Sequence, residues 1–144
     1  MIDRETAITC MRLAVTILIL MTFTLAALDK WLQGTAPEWF IEQFGNTWMG
    51  YLPQTPMFLS IAFVETIVAI GAFVSLVRLE WLRPPSAFIR WTLVGVMFTF
   101  IMLGFGARVS GAYSDAATHF AYFAGTLLMF YVIDQYERTM VTEA

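Results

Sequence analysis

The chain has 144 residues, of which 59% are hydrophobic and 13% are charged, and its formal net charge is −3. A soluble domain carries about 25% charged residues, so this composition excludes an ordinary soluble domain and indicates a membrane protein. The eight Lys and Arg residues form no basic cluster, and the charge pattern therefore predicts no nucleic-acid partner.

Four apolar stretches are long enough to cross a membrane, which takes about 20 residues in a helix. They are Ile8–Leu28, Met57–Val77, Ala87–Ala107 and Ala116–Ile133. The first is too long for the apolar core of a signal peptide, so we interpret it as a retained helix. Because the four stretches take up most of the chain, we predict a single all-α transmembrane domain over residues 1–144, an up-down bundle of four helices.

The longest connection follows the first span, which we expect to end at Asp29, Lys30 and Trp31. Within this connection, Pro37 suits a first helical turn, and Phe40 and Phe44 lie four residues apart with Ile41 beside them. These residues predict a short amphipathic helix whose three apolar side chains share one face. We expect this interfacial helix to lie on the outer membrane surface.

Glu65 is the only charged residue of the second span. An ionisable group in the middle of a membrane helix costs roughly 3 kcal/mol on insertion scales, so it usually faces the bundle interior and has a partner. Small residues, which let membrane helices approach closely, recur around it at helical spacing. They are Ala62, Ala69, Ala72 and Ser75. We therefore predict that Glu65 lies on the packed face.

The same reasoning assigns packed faces to the other spans. In the third span the predicted face comprises Thr92, Gly95, Thr99 and Gly106. In the fourth it comprises Ala117, Ala121, Ala124 and Gly125, with a polar stripe beside it. In the first span Thr22, Ala26 and Asp29 share a face.

Polar side chains concentrate in the outer half of the predicted bundle. The candidate functional cluster is Glu65, Lys30, Asp29, Arg108, Asp115, His119 and Tyr122. Arg108 and Lys30 are both candidates for the counter-ion of Glu65. At 1.5 Å per residue, Glu65 lies about 13 Å below Pro56 and His119 about 5 Å below the start of its helix, so direct contact between them needs tilt, a sunken loop or a water. A structural ion pair, a binding site for a quinone or lipid head group, and a proton relay remain open for Glu65.

Metal and haem chemistry find little support in the sequence. The chain has one His and one Cys, which excludes bis-histidine haem ligation, an internal disulfide and a C-x-x-C redox pair. No cofactor motif is present, so we predict no metal site, and a quinone or a lipid is the candidate ligand.

The basic residues are distributed unevenly between the two sides of the predicted bundle. Six lie on the side of the termini: Arg4, Arg12, Arg78, Arg83, Arg90 and Arg138. Two, Lys30 and Arg108, lie on the other side. Because cytoplasmic loops carry an excess of Lys and Arg, we predict that both termini lie in the cytoplasm.

Two segments resemble the DoxX-like family of membrane proteins. They are LAALDKWLQGTAPEWFIEQF, from residue 25 to 44, and AFVETIVAIGAFVSL, from residue 62 to 76. The matching positions are Lys30, which closes the first helix, and Glu65 and Gly71 in the second. The resemblance implies a four-helix inner-membrane protein related to subunits of a quinone-linked sulfur-oxidising complex and to companions of redox or stress complexes. The absence of a cysteine pair separates this chain from the thiol-redox relatives.

The function expected from these features is that of an accessory subunit in a larger membrane complex, respiratory or otherwise electron-transferring, with no catalytic activity of its own. Its partners would be lipid and other membrane subunits. The alternative is a quinone-reactive oxidoreductase subunit that uses Glu65 with Lys30, Arg108 or His119. A transporter ranks third, because the second span offers only Thr66 and Ser75 as polar residues beyond Glu65.

Overall fold

The structure, a computed structural model, describes residues 3–83 and 85–142 and is helical with no strand within them. It contains five α-helices and one 3-10 helix. In chain order they are α1 (Arg4–Gln33), α2 (Glu38–Gly45), the 3-10 helix (Trp48–Tyr51), α3 (Gln54–Val77), α4 (Ala87–Val109) and α5 (Tyr113–Thr142). The predicted all-α fold is confirmed.

Four of the helices, α1, α3, α4 and α5, are long and apolar enough to cross a membrane. Each contains one of the predicted spans, so the chain is a small multi-pass integral membrane protein. α1 and α5 have 30 residues each, or about 45 Å at 1.5 Å per residue, which exceeds the apolar core of about 30 Å.

The end of α1 lies two residues beyond the predicted end at Trp31. The helix continues to Gln33 and stops at Gly34, which has a left-handed φ of 68° and donates its N–H to the Lys30 carbonyl. Glycine adopts this conformation without the penalty of a Cβ. Lys30 therefore lies within the regular part of α1, three residues before its last residue.

The four long helices pack in an up-down order that leaves one side open. α1 packs along α3, α3 also packs on α4, and α4 packs along α5, whereas α1 and α5 touch only briefly. We call the end of the bundle with α2 and the 3-10 helix the loop end, and the end with both chain termini the terminal end.

The packed face of α3 is the predicted one. Ala62, Glu65, Ala69, Ala72 and Ser75 are all buried. Gly71 lies beside this face, and a Cβ at this position would overlap the hydroxyl of Thr92 on α4. The small residues of α3 thus allow close approach of its neighbours, as the sequence pattern indicates.

The prediction for α5 was wrong. Ala117, Ala121 and Ala124 are exposed and Gly125 is half-buried, whereas the buried residues of α5 between positions 113 and 139 are Thr126, Ile133 and Glu137. Because α5 packs along α4 alone for most of its length, only one narrow face is covered. The prediction that Thr22, Ala26 and Asp29 form a packed face of α1 was also wrong. Thr22 and Asp29 are exposed, and Ala26 is half-buried.

The interfacial helix forms one residue later than predicted, with Pro37 as its N-cap. Phe40 and Phe44 share a buried face, with ring centroids 5.1 Å apart, and the Phe40 ring lies 5.2 Å from that of Phe58 on α3. Ile41 is exposed, so its assignment to this face was wrong. α2 therefore closes the loop end of the bundle with two aromatic rings.

Candidate functional site

A cavity of about 320 Å³ opens at the loop end. It has contributions from all five α-helices and includes four of the predicted polar residues: Lys30, Glu65, Asp115 and His119. The remaining wall is mainly aromatic rings and methionine side chains. These are Trp39, Phe40, Phe44, Phe58, Met49, Met57 and Met102.

Lys30 is the partner of Glu65. Its Nζ donates to both carboxylate oxygens, at 3.0 and 2.9 Å, and to the Ala26 carbonyl at 3.3 Å. The side chain of Glu65 is 4% exposed and that of Lys30 is 18% exposed. The pair joins α1 to α3, and the acceptors use all three ammonium protons of Lys30.

Arg108, the other candidate for the counter-ion of Glu65, does not pair with it. Its side chain is exposed, and its guanidinium carbon lies 4.5 Å from the centre of the Tyr113 ring. It lines a shallower hollow of about 390 Å³ between α4 and α5. The reason is geometric: the end of α4 places Arg108 on the outside of the bundle.

His119 and Asp115 reach the Glu65 cavity from the first turns of α5. His119 lies close to Gly104 and stacks on Phe100, with ring centroids 6.2 Å apart. Its Nδ1 is buried and has no hydrogen-bond partner among the described residues. Glu65 and His119 therefore share one cavity without a direct hydrogen bond between them.

Asp29 and Tyr122 do not line this cavity. Asp29 is exposed and accepts a hydrogen bond from Gln33 Nε2 at 3.0 Å. Tyr122 is also exposed, and its ring lies 5.4 Å from that of Phe100. Of the seven predicted residues, the cavity thus brings four together.

The sequence pattern did not predict the aromatic wall of the cavity. It assigned Phe40 and Phe44 to a surface helix, although their spacing of four residues does mark a shared face. The local sequence pattern does not indicate that this face meets α3, because the contact joins Phe40 to Phe58, 18 positions further along the chain. Gln43 also lines the cavity and donates to Ser110 Oγ at 3.1 Å.

A second hollow, of about 580 Å³, lies on the outer face between α1 and α3. Apolar side chains such as Leu25 and Phe73 dominate its lining. At its rim, Trp31 Nε1 donates to Thr66 Oγ1 at 2.9 Å. Because its lining contains no titratable side chain, we take the smaller cavity beside Glu65 as the candidate site.

Buried charges also meet at the terminal end, where the sequence pattern does not indicate a cluster. Glu137 of α5 accepts hydrogen bonds from the Ser86 backbone N–H at 2.7 Å and from Arg12 Nη2 of α1 at 3.4 Å. Arg90 of α4 lies 3.6 Å from the same carboxylate and 3.0 Å from Asp134. We call Arg12, Ser86, Arg90, Asp134 and Glu137 the terminal cluster. It joins α1, α4 and α5.

Glu80 supports the terminal cluster from the α3–α4 connection. Its carboxylate accepts the backbone N–H groups of Phe88 and Ile89 in the first turn of α4, at 3.3 and 3.1 Å, and the hydroxyl of Ser75 at 3.2 Å. A carboxylate at this place satisfies amides that the helix leaves unpaired and interacts favourably with the helix dipole. In the sequence, the position of Glu80 shortly before the third predicted span is the feature that could have indicated this role.

No group of three or more His, Cys, Asp or Glu side chains in residues 3–83 and 85–142 is placed to hold a metal ion. The arrangement at the loop end is instead that of a small-molecule site, a mostly apolar hollow with a few convergent polar groups. No protein-family model, curated protein or solved structure matches this chain.

Proposed function

We propose that this small membrane protein is an accessory subunit of a larger membrane complex, respiratory or otherwise electron-transferring. The proposal places it in a bacterial-type inner membrane, as the resemblance to DoxX-like proteins implies, with both termini in the cytoplasm, as the distribution of basic residues favours. The resemblance of Lys30, Glu65 and Gly71 to DoxX-like proteins is consistent with such a role.

The observation that carries the proposal is the uncovered surface of α5. In its most apolar stretch only 11% of residues are buried, against 33% in α1 and in α3. Ala117, Ala121 and Ala124 lie on the exposed surface at spacings of four and three. Small residues at this spacing let a second membrane helix approach closely, and the chain itself supplies no such helix there.

Enlarging this surface should displace the partner. We expect the double variant Ala121→Leu, Ala124→Leu to lose at least half of its co-purifying subunits in mild detergent, because the added side chains hold a partner helix away. Quantitative mass spectrometry of the purified material measures the ratio of partner to this chain. Ala14→Leu, at an exposed alanine of α1, is the matched control and should keep the wild-type ratio.

Two results would contradict the accessory role. One is a wild-type chain that purifies alone at monomer mass, without partner subunits. The other is an equal loss of partner in the α5 double variant and in the α1 control, which would mean that the alanine surface has no particular part in association.

The cavity supports a second candidate, a quinone-reactive oxidoreductase subunit. Glu65 would exchange a proton with the bound quinone, and His119 would offer a hydrogen bond to its ring oxygen. Arg108 does not line the cavity, so it does not contact the bound quinone in this candidate function. Lys30 can polarise the ligand only indirectly, since its three protons already have acceptors.

In this second candidate, Glu65→Gln should lower quinone-dependent turnover of the complex at least tenfold. The amide keeps the size of the side chain and a hydrogen-bond acceptor for Lys30, but it cannot exchange the proton. Turnover is followed by quinol absorbance, and the thermal unfolding midpoint checks that the variant folds. Asp29→Asn, outside the cavity at the same end, should retain wild-type turnover; unchanged turnover in Glu65→Gln excludes a proton role for Glu65.

A further inference from the structure

The polar groups that line the loop-end cavity differ in how far their hydrogen bonds are already satisfied. Lys30 is the one cation among the described Lys and Arg residues of the lining, and its three ammonium protons are directed to Glu65 and to the Ala26 carbonyl. Gln43 donates to Ser110, and the Ser60 hydroxyl donates to the Met57 carbonyl. These donors are therefore occupied, and the remaining side-chain donors of the described wall are the ring nitrogens of Trp39 and His119.

Acceptors, in contrast, are in surplus. Each oxygen of Glu65 receives one hydrogen bond from Lys30, which leaves a lone pair on each. Asp115 accepts only the hydroxyl of Ser114, at 3.3 Å, and no Lys or Arg of the described segments forms an ion pair with it. With the carboxylates of Glu65 and Asp115 both ionised, Lys30 protonated and His119 neutral, the lining carries one surplus negative charge.

The rest of the wall suits a cation that carries an apolar body. Trp39, Phe40, Phe44 and Phe58 line the cavity, and their rings offer a large apolar surface to the body of such a ligand. Methionine side chains fill the remaining wall and adapt to the shape of an apolar ligand. A volume of about 320 Å³ lies at the lower end of the range for small-molecule sites.

We infer that the loop-end cavity binds an amphipathic organic ammonium ion. The ammonium group donates to Asp115 and to the spare lone pairs of Glu65, and the apolar body lies against the aromatic rings. A carboxylate or phosphate ligand would meet the surplus negative charge and find few free donors. The inference goes beyond the accessory role and does not require a partner subunit.

Three probes with the same body and different head groups test the inference. They are 4-phenylbutylamine, 4-phenylbutanol and 4-phenylbutyrate, titrated calorimetrically into the full chain in an uncharged maltoside detergent, with empty micelles subtracted. We expect the amine to bind at least tenfold more tightly than the alcohol or the acid. Equal or tighter binding of the alcohol or the acid overturns the inference.

Asp115→Asn locates the site. Its side chain is exposed, so the variant should fold, and we expect it to weaken binding of the amine at least threefold without changing that of the alcohol. Asp29→Asn removes an exposed carboxylate at the same end of the bundle that does not line the cavity, and it should leave amine binding unchanged. Unaltered amine binding in Asp115→Asn, or equal weakening in both variants, overturns the assignment. Quinone turnover and subunit co-purification are separate measurements, so failure here is distinguishable from failure of either proposed function.

Discussion

Replacing Lys30 with methionine is expected to lower the free energy of unfolding by about 3 kcal/mol, because it leaves a buried carboxylate without its cation. The Glu65 side chain is 4% exposed and both of its oxygens are bound by Lys30 Nζ. Methionine preserves most of the length and apolar surface of the lysine, so the loss reports the ion pair. Unfolding in mixed micelles with increasing denaturing detergent measures it.

The complementary change should cost less. Glu65→Leu leaves Lys30, whose side chain is 18% exposed and lies near the end of α1, and a long lysine can turn its ammonium toward water. The double variant Lys30→Met, Glu65→Leu should recover most of the stability lost in Lys30→Met, because no buried charge remains. A double variant as unstable as Lys30→Met would show that packing, and not the unpaired charge, causes the loss.

Replacing Glu137 with alanine is expected to have the larger effect, a loss of about 4 kcal/mol in the free energy of unfolding. The change leaves the Arg12 guanidinium, which is 2% exposed, without its carboxylate partner and removes the acceptor of the Ser86 amide. It also loosens the contact between α1 and α5, which otherwise touch little. The same detergent titration measures this loss.

Glu137→Gln separates the two contributions, since the amide oxygen can still accept the Ser86 N–H but carries no charge for Arg12. We expect its loss of stability to lie between those of wild type and Glu137→Ala. Gln135→Ala, at an exposed position on the same helix, is the matched control and should change the free energy of unfolding by less than about 0.5 kcal/mol. If Glu137→Ala also stays within that range, the terminal cluster is not a structural junction.

The two predicted losses of stability concern opposite ends of the helical bundle. The Lys30–Glu65 pair joins α1 to α3 at the loop end, whereas the terminal cluster joins α1 to α4 and α5 at the other. Both connect helices that are distant in sequence. A long apolar helix packs weakly in lipid, since lipid tails are as apolar as its neighbours, so these polar links specify which helices meet.

Parts of the candidate site were predictable. Glu65 was expected on the packed face of α3 because small residues recur around it, and Lys30 was one of two expected counter-ions. The sequence places both Lys30 and Arg108 at the loop end of the bundle, so only the structure decides which of them pairs with Glu65. Lys30 pairs with Glu65 across the α1–α3 contact, whereas Arg108 is exposed near the end of α4.

The sequence by itself determined the four spans, the helical class and the inward face of α3, because chain length, hydropathy and the spacing of small residues are local properties. Only the tertiary structure decided which face of α5 is covered, how α2 closes the cavity and which charges meet at the terminal end. The physical reason is that faces toward lipid and toward protein are both apolar, so hydropathy alone does not distinguish them. Contacts such as Arg12 with Glu137, 125 residues apart, depend on the arrangement of whole helices.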